Sequence, residues 1–301
     1  MEKQLKLYNN TEIDFDRWDQ VVGNASNSRI YAESWYLDMV AHNWKGLIYG
    51  DYEYVMPLHE IKKWGVAYAC QPVYAQQQGI FPTATPAITA LFIELLKKKY
   101  RYFNISLNAL NISIAHLVET EVRKNYVLNL NLPLSEIRAK YDSHTARYTK
   151  KSKRECTILE HVAPSDFMNL KLANRQKTVK PIYRQALQLI MNKSRIAGRA
   201  TILGAYSQRN ELIAAAFFLK SQNRFVYLNS ISTDEGKKAR AMFAIVDHFI
   251  EMNANSIFIL DFEGSNIEGI ARFFAGFGAY PETYQNIKHN RLPWPLNLIK
   301  K

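Results

Sequence analysis

Cysteine is nearly absent. Cys70 and Cys156 are the two in a chain of 301 residues, too few for a disulfide framework or, by themselves, for a four-ligand zinc site. The seven histidines, at 42, 59, 116, 144, 161, 248 and 289, show no close metal-ligand spacing, and no metal is expected. Long apolar runs are also missing. The longest, residues 212–219, is far short of the ~20 residues that span a bilayer. No basic segment followed by an apolar one opens the chain, so no signal peptide is expected and the protein is expected in the cytoplasm. The sequence has no Gly-x-x-x-x-Gly-Lys-Ser/Thr loop and no Gly-x-Ser-x-Gly elbow, which removes the P-loop and serine-hydrolase signatures.

What is present is globular. Hydrophobic residues make up 48%, with 18 Tyr and 15 Phe, enough apolar surface to offset the entropy of ordering the chain. The length suggests about two domains. Acidic residues are in deficit, with 27 against 39 basic ones. Fourteen Lys or Arg and four Asp or Glu fall between residues 140 and 200, so +10 of the net +12 sits there. Such a cluster attracts nucleic acid, phosphorylated ligands or anionic surfaces, or serves as a solvated helical face.

The second half alternates in an orderly way. Residues 201–206, 212–220 and 225–231 read as strands separated by polar turns, an antiparallel meander. Ser232 and Glu235 form a predicted capping box, followed by helical spacing of Met242, Phe243, Val246, Phe249 and Ile250. Residues 256–262 read as a central strand covered on both faces. Ser265 and Glu268 suggest a second capping box, opening a helix that stops near Gly276 and Gly278. Residues 284–288 suggest a last strand. His248 beside Asp247 reads as a surface pair.

The first half repeats this order. Residues 16–22 and 32–41 read as helices; 46–49, 54–61 and 66–69 as strands; 87–100 as a helix; 102–107 as a strand. Strand, strand, strand, helix, strand occurring twice points to duplication. The predicted division is 1–135 and 136–301, the second domain preceded by a basic helical connection at 136–200. Helical stretches are expected at 133–153 and 164–192, with Pro181 breaking or starting one.

This order resembles the GNAT acyltransferase fold, and two such units in tandem resemble the Fem peptidyltransferase (FemAB-like) family. The resemblance covers nearly the whole chain. Asp261-Phe262-Glu263-Gly264-Ser265, followed by residues 270–279, is similar to that family's strand-to-helix segment in its second unit. Gln71-Pro72-Val73-Tyr74-Ala75-Gln76-Gln77 with Gly79 looks like the matching segment of the first. The implied architecture is α+β with a mixed sheet in two GNAT-like domains. The implied activity moves an acyl or aminoacyl group from acyl-coenzyme A or aminoacyl-tRNA to a small-molecule or peptide amine; tRNA then becomes a candidate partner.

The resemblance places a phosphate-binding turn at Gly236, Lys237, Lys238, Ala239, Arg240 and Ala241. The family pattern has Arg or Gln where Gly236 stands and Gly where Ala239 stands; Ala241 fits. Free amides and a helix N-terminus attract phosphate, and Lys237, Lys238 and Arg240 add cations that a helix start does not favour for stability. Tyr227, Asn229, Ser230 and Ile231 are candidates to line the acyl channel, where a backbone N–H would hold the thioester carbonyl. Alternation puts Asp261 and Glu263 on one face at the carboxyl end of a central strand, as candidate proton acceptors or as loop braces. Tyr284 is a candidate acid for the leaving group. Gln71, Tyr74, Gln76 and Gln77 are candidates to grip the acceptor. Where cell-wall members carry a lysine after the Ser34-Trp35-Tyr36 segment, this chain has Leu37-Asp38-Met39. The departures at 236 and 239 leave a rival reading, a degenerate pair of GNAT units that only binds a partner.

Overall fold

The computed structural model describes residues 3–63, 65–111, 116–174, 180–264, 267–294 and 297. In chain order its main elements are β1 (Leu5–Asn9), α1 (Phe15–Asn24), α2 (Ser34–Val40), β2 (Lys45–Tyr49), β3 (Tyr54–Lys63), β4 (Val66–Cys70), α3 (Pro86–Lys99), β5 (Tyr102–Ser106) and β6 (Glu119–Asn129). There follow α4 (Leu134–Ala139), α5 (Ser143–Glu155), β7 (Thr157–Leu159), α6 (Pro164–Ala173), α7 (Pro181–Ile196), β8 (Ala200–Tyr206), β9 (Leu212–Lys220) and β10 (Arg224–Ser232). The chain closes with α8 (Asp234–Lys238), α9 (Ala241–Asn253), β11 (Ile259–Gly264), α10 (Glu268–Gly276) and β12 (Tyr280–Asn290). No helix among the described residues is long and apolar enough to cross a membrane.

The chain forms two units, Met1–Arg123 with Thr283–Lys301, and Lys124–Glu282. The division therefore falls at 123/124 rather than 135/136, and the tail belongs to the first unit. Both differences come from strands: β6, which the sequence reading did not find, carries the chain from one unit into the other, and the end of β12 returns to pair with β5.

In the first unit β1 to β4 form an antiparallel run, β4 pairs with β5 in parallel, and residues 286–290 of β12 run antiparallel to β5. Helix α3 starts where its sequence says it should. Thr85 Oγ1 accepts the Ile88 N–H at 3.3 Å, Pro86 occupies the first turn, and Lys97, Lys98 and Lys99 face the negative end of the dipole. Its face buries Phe92, Ile93 and Leu96 against Leu47, Met56, Phe103, Ile105 and Ile287.

In the second unit the sheet order is β6-β11-β10-β9-β8-β7, all antiparallel except the β10–β11 pair. The core packs α9 against β8 and β9, with Phe218 stacked on Phe249 at 3.7 Å between centroids. The order β2-β3-β4-α3-β5 recurs as β8-β9-β10-α8/α9-β11, each an antiparallel triplet followed by a parallel neighbour. The fold is α+β, with the same plan twice.

Three local expectations change. The cap before α8 is Thr233, not Ser232: Thr233 Oγ1 accepts the Gly236 N–H at 3.0 Å, while the Ser232 hydroxyl donates to the Thr233 carbonyl. The helix beyond it is broken at Arg240, which takes left-handed φ 56°. Asp247 is fully buried rather than at the surface, because Arg138 (2.7 Å) and Lys153 (2.7 Å) reach it from α4 and α5 and the Tyr141 hydroxyl donates to it; His248 pairs instead with Glu160. The second predicted cap, Ser265, lies outside the described residues; α10 itself begins after Ile267 without a side-chain cap.

Candidate active site in the second unit

β10 and β11 pair only from Arg224–Ile259 to Val226–Asp261. Beyond that point the parallel strands no longer bond, and β10 carries a bulge between Tyr227 and Asn229 that takes Leu228 out of register with β9. A bulge re-aims the side chains that follow it. A cavity of about 770 Å³ lies here. Tyr227, Ser230, Ile231 and Ser232 line it from β10; Gly236, Lys237, Arg240, Met242 and Phe243 from the α8–α9 segment; Ile270, Phe273 and Phe274 from α10; Met168, Lys171, Leu172 and Arg184 from α6 and α7. The size and the mainly apolar wall with a few polar groups are those of a small-molecule site.

At the equivalent place in the first unit, backbone bonds continue past the end of β4. The chain after β4 continues beside β5, with the Gln71 N–H bonded to the Asn104 carbonyl at 3.0 Å and the Gln78 N–H to the Ser106 carbonyl at 2.8 Å. Gln71 also accepts the Ser106 N–H and donates to the Ala75 carbonyl. Gln77 is fully buried and accepts the Ala109 N–H at 3.0 Å, while donating to Gln76. Tyr74 sits in a left-handed turn, its carbonyl accepting the Tyr36 hydroxyl, and burial pushes its phenol pKa up. The Gln71 and Gln77 side chains and the Tyr74 carbonyl hold this loop in place.

Of the expected donor-site residues, Ser230, Ile231, Gly236, Lys237 and Arg240 line the cavity together with Tyr227. Lys238 and Ala239 border a separate concavity beside Glu155 and Arg209, and Ala241 is fully buried. Four amides of the expected cradle are already taken. The Gly236 N–H is taken by Thr233 Oγ1, that of Lys237 by the Thr233 carbonyl (2.9 Å), that of Ala239 by Glu235 (2.9 Å) and that of Arg240 by Lys237 (3.2 Å). Gly236 is explained by packing: a Cβ there would fall 2.3 Å from the Ile213 carbonyl oxygen on β9. Lys237 and Arg240 bring side-chain cations to an anionic donor at this end. Arg240 lies 4.6 Å over the Tyr148 ring, and Lys237 pairs with Asp234 at 2.8 Å.

The carboxylates are placed differently from one another. Asp261 is 1% exposed; its Oδ2 pairs with Arg224 at 3.0 Å and its Oδ1 accepts the Glu263 N–H at 2.9 Å. Arg224 also reaches Glu282 at 2.8 Å. Burial works against the Arg224 charge, but Asp261 and Glu282 outweigh it and its pKa rises. Asp261 thus braces the turn at Glu263, which holds left-handed φ 59° and is half-buried. Neither lines the cavity. Tyr284 is buried in the first unit and does not line it either. Asn229 borders the site through Lys171, whose ammonium donates to Asn229 Oδ1 at 2.7 Å.

Lys171 was not foreseen. Burial lowers its pKa. The signal was in the sequence: Lys171 follows Phe167 by four residues and Met168 by three, which sets it on the buried face of α6. Tyr227 is held neutral, since burial pushes its phenol up.

An antiparallel triplet followed by a parallel neighbour is the plan of the GNAT fold, present here in tandem; in the second unit the neighbour parts from the triplet beside a bulge, and a cleft lies at the parting. No family model matches the chain and no curated protein matches its sequence. Solved structures match over nearly all of it. The crystal structure of FemX superposes with a TM-score of 0.66 at 11% identity, covering 99% of both chains. A C-terminal domain ascribed to a lysylphosphatidylglycerol synthetase of Agrobacterium fabrum gives 0.55 at 12% identity, over 97% of this chain and 95% of that one. A GNAT-family acetyltransferase from Colwellia psychrerythraea gives 0.51 at 12% identity, over 95% and 100%. At such identities the likeness is one of fold: tandem GNAT units of the FemX type.

Proposed function

We propose that the protein is an N-acyltransferase that moves an acyl or aminoacyl group from acyl-coenzyme A or aminoacyl-tRNA to an amine acceptor. The observation that carries this is the cavity at the point where β10 and β11 stop pairing, walled by apolar side chains and by cations. The donor's carbonyl would lie along β10 near the bulge, with Lys237 and Arg240 toward its phosphates. The neutral amine attacks the carbonyl carbon, a tetrahedral oxyanion forms, and the C–S or C–O bond to the donor breaks. The thiol or ribose hydroxyl leaves with the proton the amine gives up. Asp261 is committed to Arg224 and takes no part in that proton transfer.

One observation favours the rival, non-catalytic reading: the amides at 236, 237, 239 and 240 are already bonded. Thermal shift with acetyl-coenzyme A, a longer acyl-coenzyme A and aminoacyl-tRNA, at low and moderate salt, separates the readings. A donor that binds the native state raises the midpoint by mass action. A shift with an acyl-coenzyme A, weakened in Arg240→Ala, supports that donor. A shift with tRNA alone, lost on adding salt, supports aminoacyl transfer. No shift with any of the three refutes the transferase reading.

A further inference from the structure

Among the described residues, those lining the cavity include four cations, Lys171, Arg184, Lys237 and Arg240, and no carboxylate. Lys237 and Arg240 have partners in Asp234 and the Tyr148 ring. Lys171 and Arg184 differ. The Lys171 ammonium bonds the neutral oxygen of Asn229, and the described lining of the cavity offers it no carboxylate. Arg184, on α7, has a buried Nε without a hydrogen-bond partner among the described residues. Burying a cation without a counter-ion is costly. An ammonium has three donors, of which Asn229 takes one, and a guanidinium presents a planar fork suited to two-oxygen anions.

We propose that Lys171 and Arg184 form an oxyanion subsite on the α6–α7 wall of the cavity, taking a carboxylate or phosphate carried by the bound ligand. The subsite is distinct from the Lys237 and Arg240 end, where the sequence resemblance placed the donor's phosphates. Its position beside Asn229 on β10 sets the anion close to the strand along which the donor's acyl group would lie. A ligand with a terminal carboxylate on the acyl portion fits, and so does one that folds a nucleotide phosphate onto this wall. The identity of the ligand rests on the acyl-transfer reading; the anion site itself does not.

Isothermal titration of the full chain with glutarate and, separately, with inorganic pyrophosphate tests this. The proteins are wild type, Lys171→Met, Arg184→Met and the double variant Lys237→Ala/Arg240→Ala. Lys171→Met keeps the stem and removes a half-buried charge that has no carboxylate beside it among the described lining, so its melting temperature is expected to hold or rise; Arg184→Met is an independent second probe. At least one anion should bind wild type, and each single variant should weaken it about tenfold or more. The double variant should weaken it much less. Glutarate binding points to the acyl portion as the source of the anion, pyrophosphate binding to a nucleotide. Failure of both anions to bind wild type, or equal affinities in wild type and the two single variants, overturns the subsite. Anion binding with no turnover of any donor would remove the acyl-transfer reading and leave the subsite standing.

Discussion

Asp261 separates a catalytic from a bracing role, and the two predict different outcomes. Replacing it with alanine removes the Oδ2 contact to Arg224 at 3.0 Å and the Oδ1 acceptor of the Glu263 N–H at 2.9 Å. The Arg224 side chain is 8% exposed, so water cannot replace the lost carboxylate. Removing one partner of a buried pair costs about 3–5 kcal/mol, mostly the penalty of the charge left behind. Glu282 stays, 2.8 Å from Arg224 and 22% exposed, which places the cost near the lower end. At about 2–4 °C per kcal/mol, a loss of about 3 kcal/mol lowers the melting midpoint by about 6–12 °C. Asp261→Asn keeps an acceptor for the Glu263 amide and should cost less, about 1.5–3 kcal/mol for the charged bond. Urea unfolding followed by circular dichroism reads the stability, and turnover well below both midpoints reads the chemistry. Asp261→Asn is expected to be less stable yet to turn over when folded. An unshifted midpoint with abolished turnover would refute the brace and make Asp261 a proton acceptor.

Two more outcomes follow from local geometry. Gly236→Ala pushes a methyl to 2.3 Å from the Ile213 carbonyl, a backbone atom, and should cost about 1–3 kcal/mol in a thermal melt while weakening donor binding; wild-type stability would mean that α8 can slide off β9. Burial lowers the pKa of His59 below its ordinary 6.5, so the unfolded chain binds that proton more readily and stability should fall as pH drops below about 6.5. In His59→Gln the slope of unfolding free energy against pH in that window should flatten, and an unchanged slope would place the titration elsewhere.

Much of the fold was legible because apolar runs are bounded by polar turns and apolar residues keep helical spacing. Residues 201–206, 212–220, 225–231 and 242–250 show this, and β8, β9, β10 and α9 lie there. β6 was missed because its first half, Glu119 to Lys124, is charged or polar apart from Val122, and its apolar residues Tyr126, Val127 and Leu128 do not alternate. The break between α8 and α9 has no Gly or Pro to announce it; a left-handed arginine is legible only in the backbone. The site was read in part. Tyr227, Ser230, Gly236, Lys237 and Arg240 could be placed from the resemblance, since the plan fixes which strand end and which turn meet. Which amides are already bonded depends on a cap shifted by one residue, from Ser232 to Thr233, and no spacing reveals that. The basic stretch at 140–200 resolves into several jobs: Lys153 neutralises buried Asp247, Lys151 pairs with Glu155 along its helix, and Lys171 and Arg184 turn inward. Arg175 and Lys177 lie outside the described residues.

The return of β12 has a consequence for synthesis. β5 is bordered by β4 on one side and by residues 286–290 on the other, and Ile287 is a fully buried member of the first unit's core. Those residues leave the ribosome after the whole of 124–282. At about 5–20 residues per second the wait is on the order of ten seconds. During it the nascent first unit carries an open strand edge, of the kind that recruits foreign strands. The unit translated first is therefore the one finished last, and its protection in the interim falls to whatever the cell holds against an exposed edge.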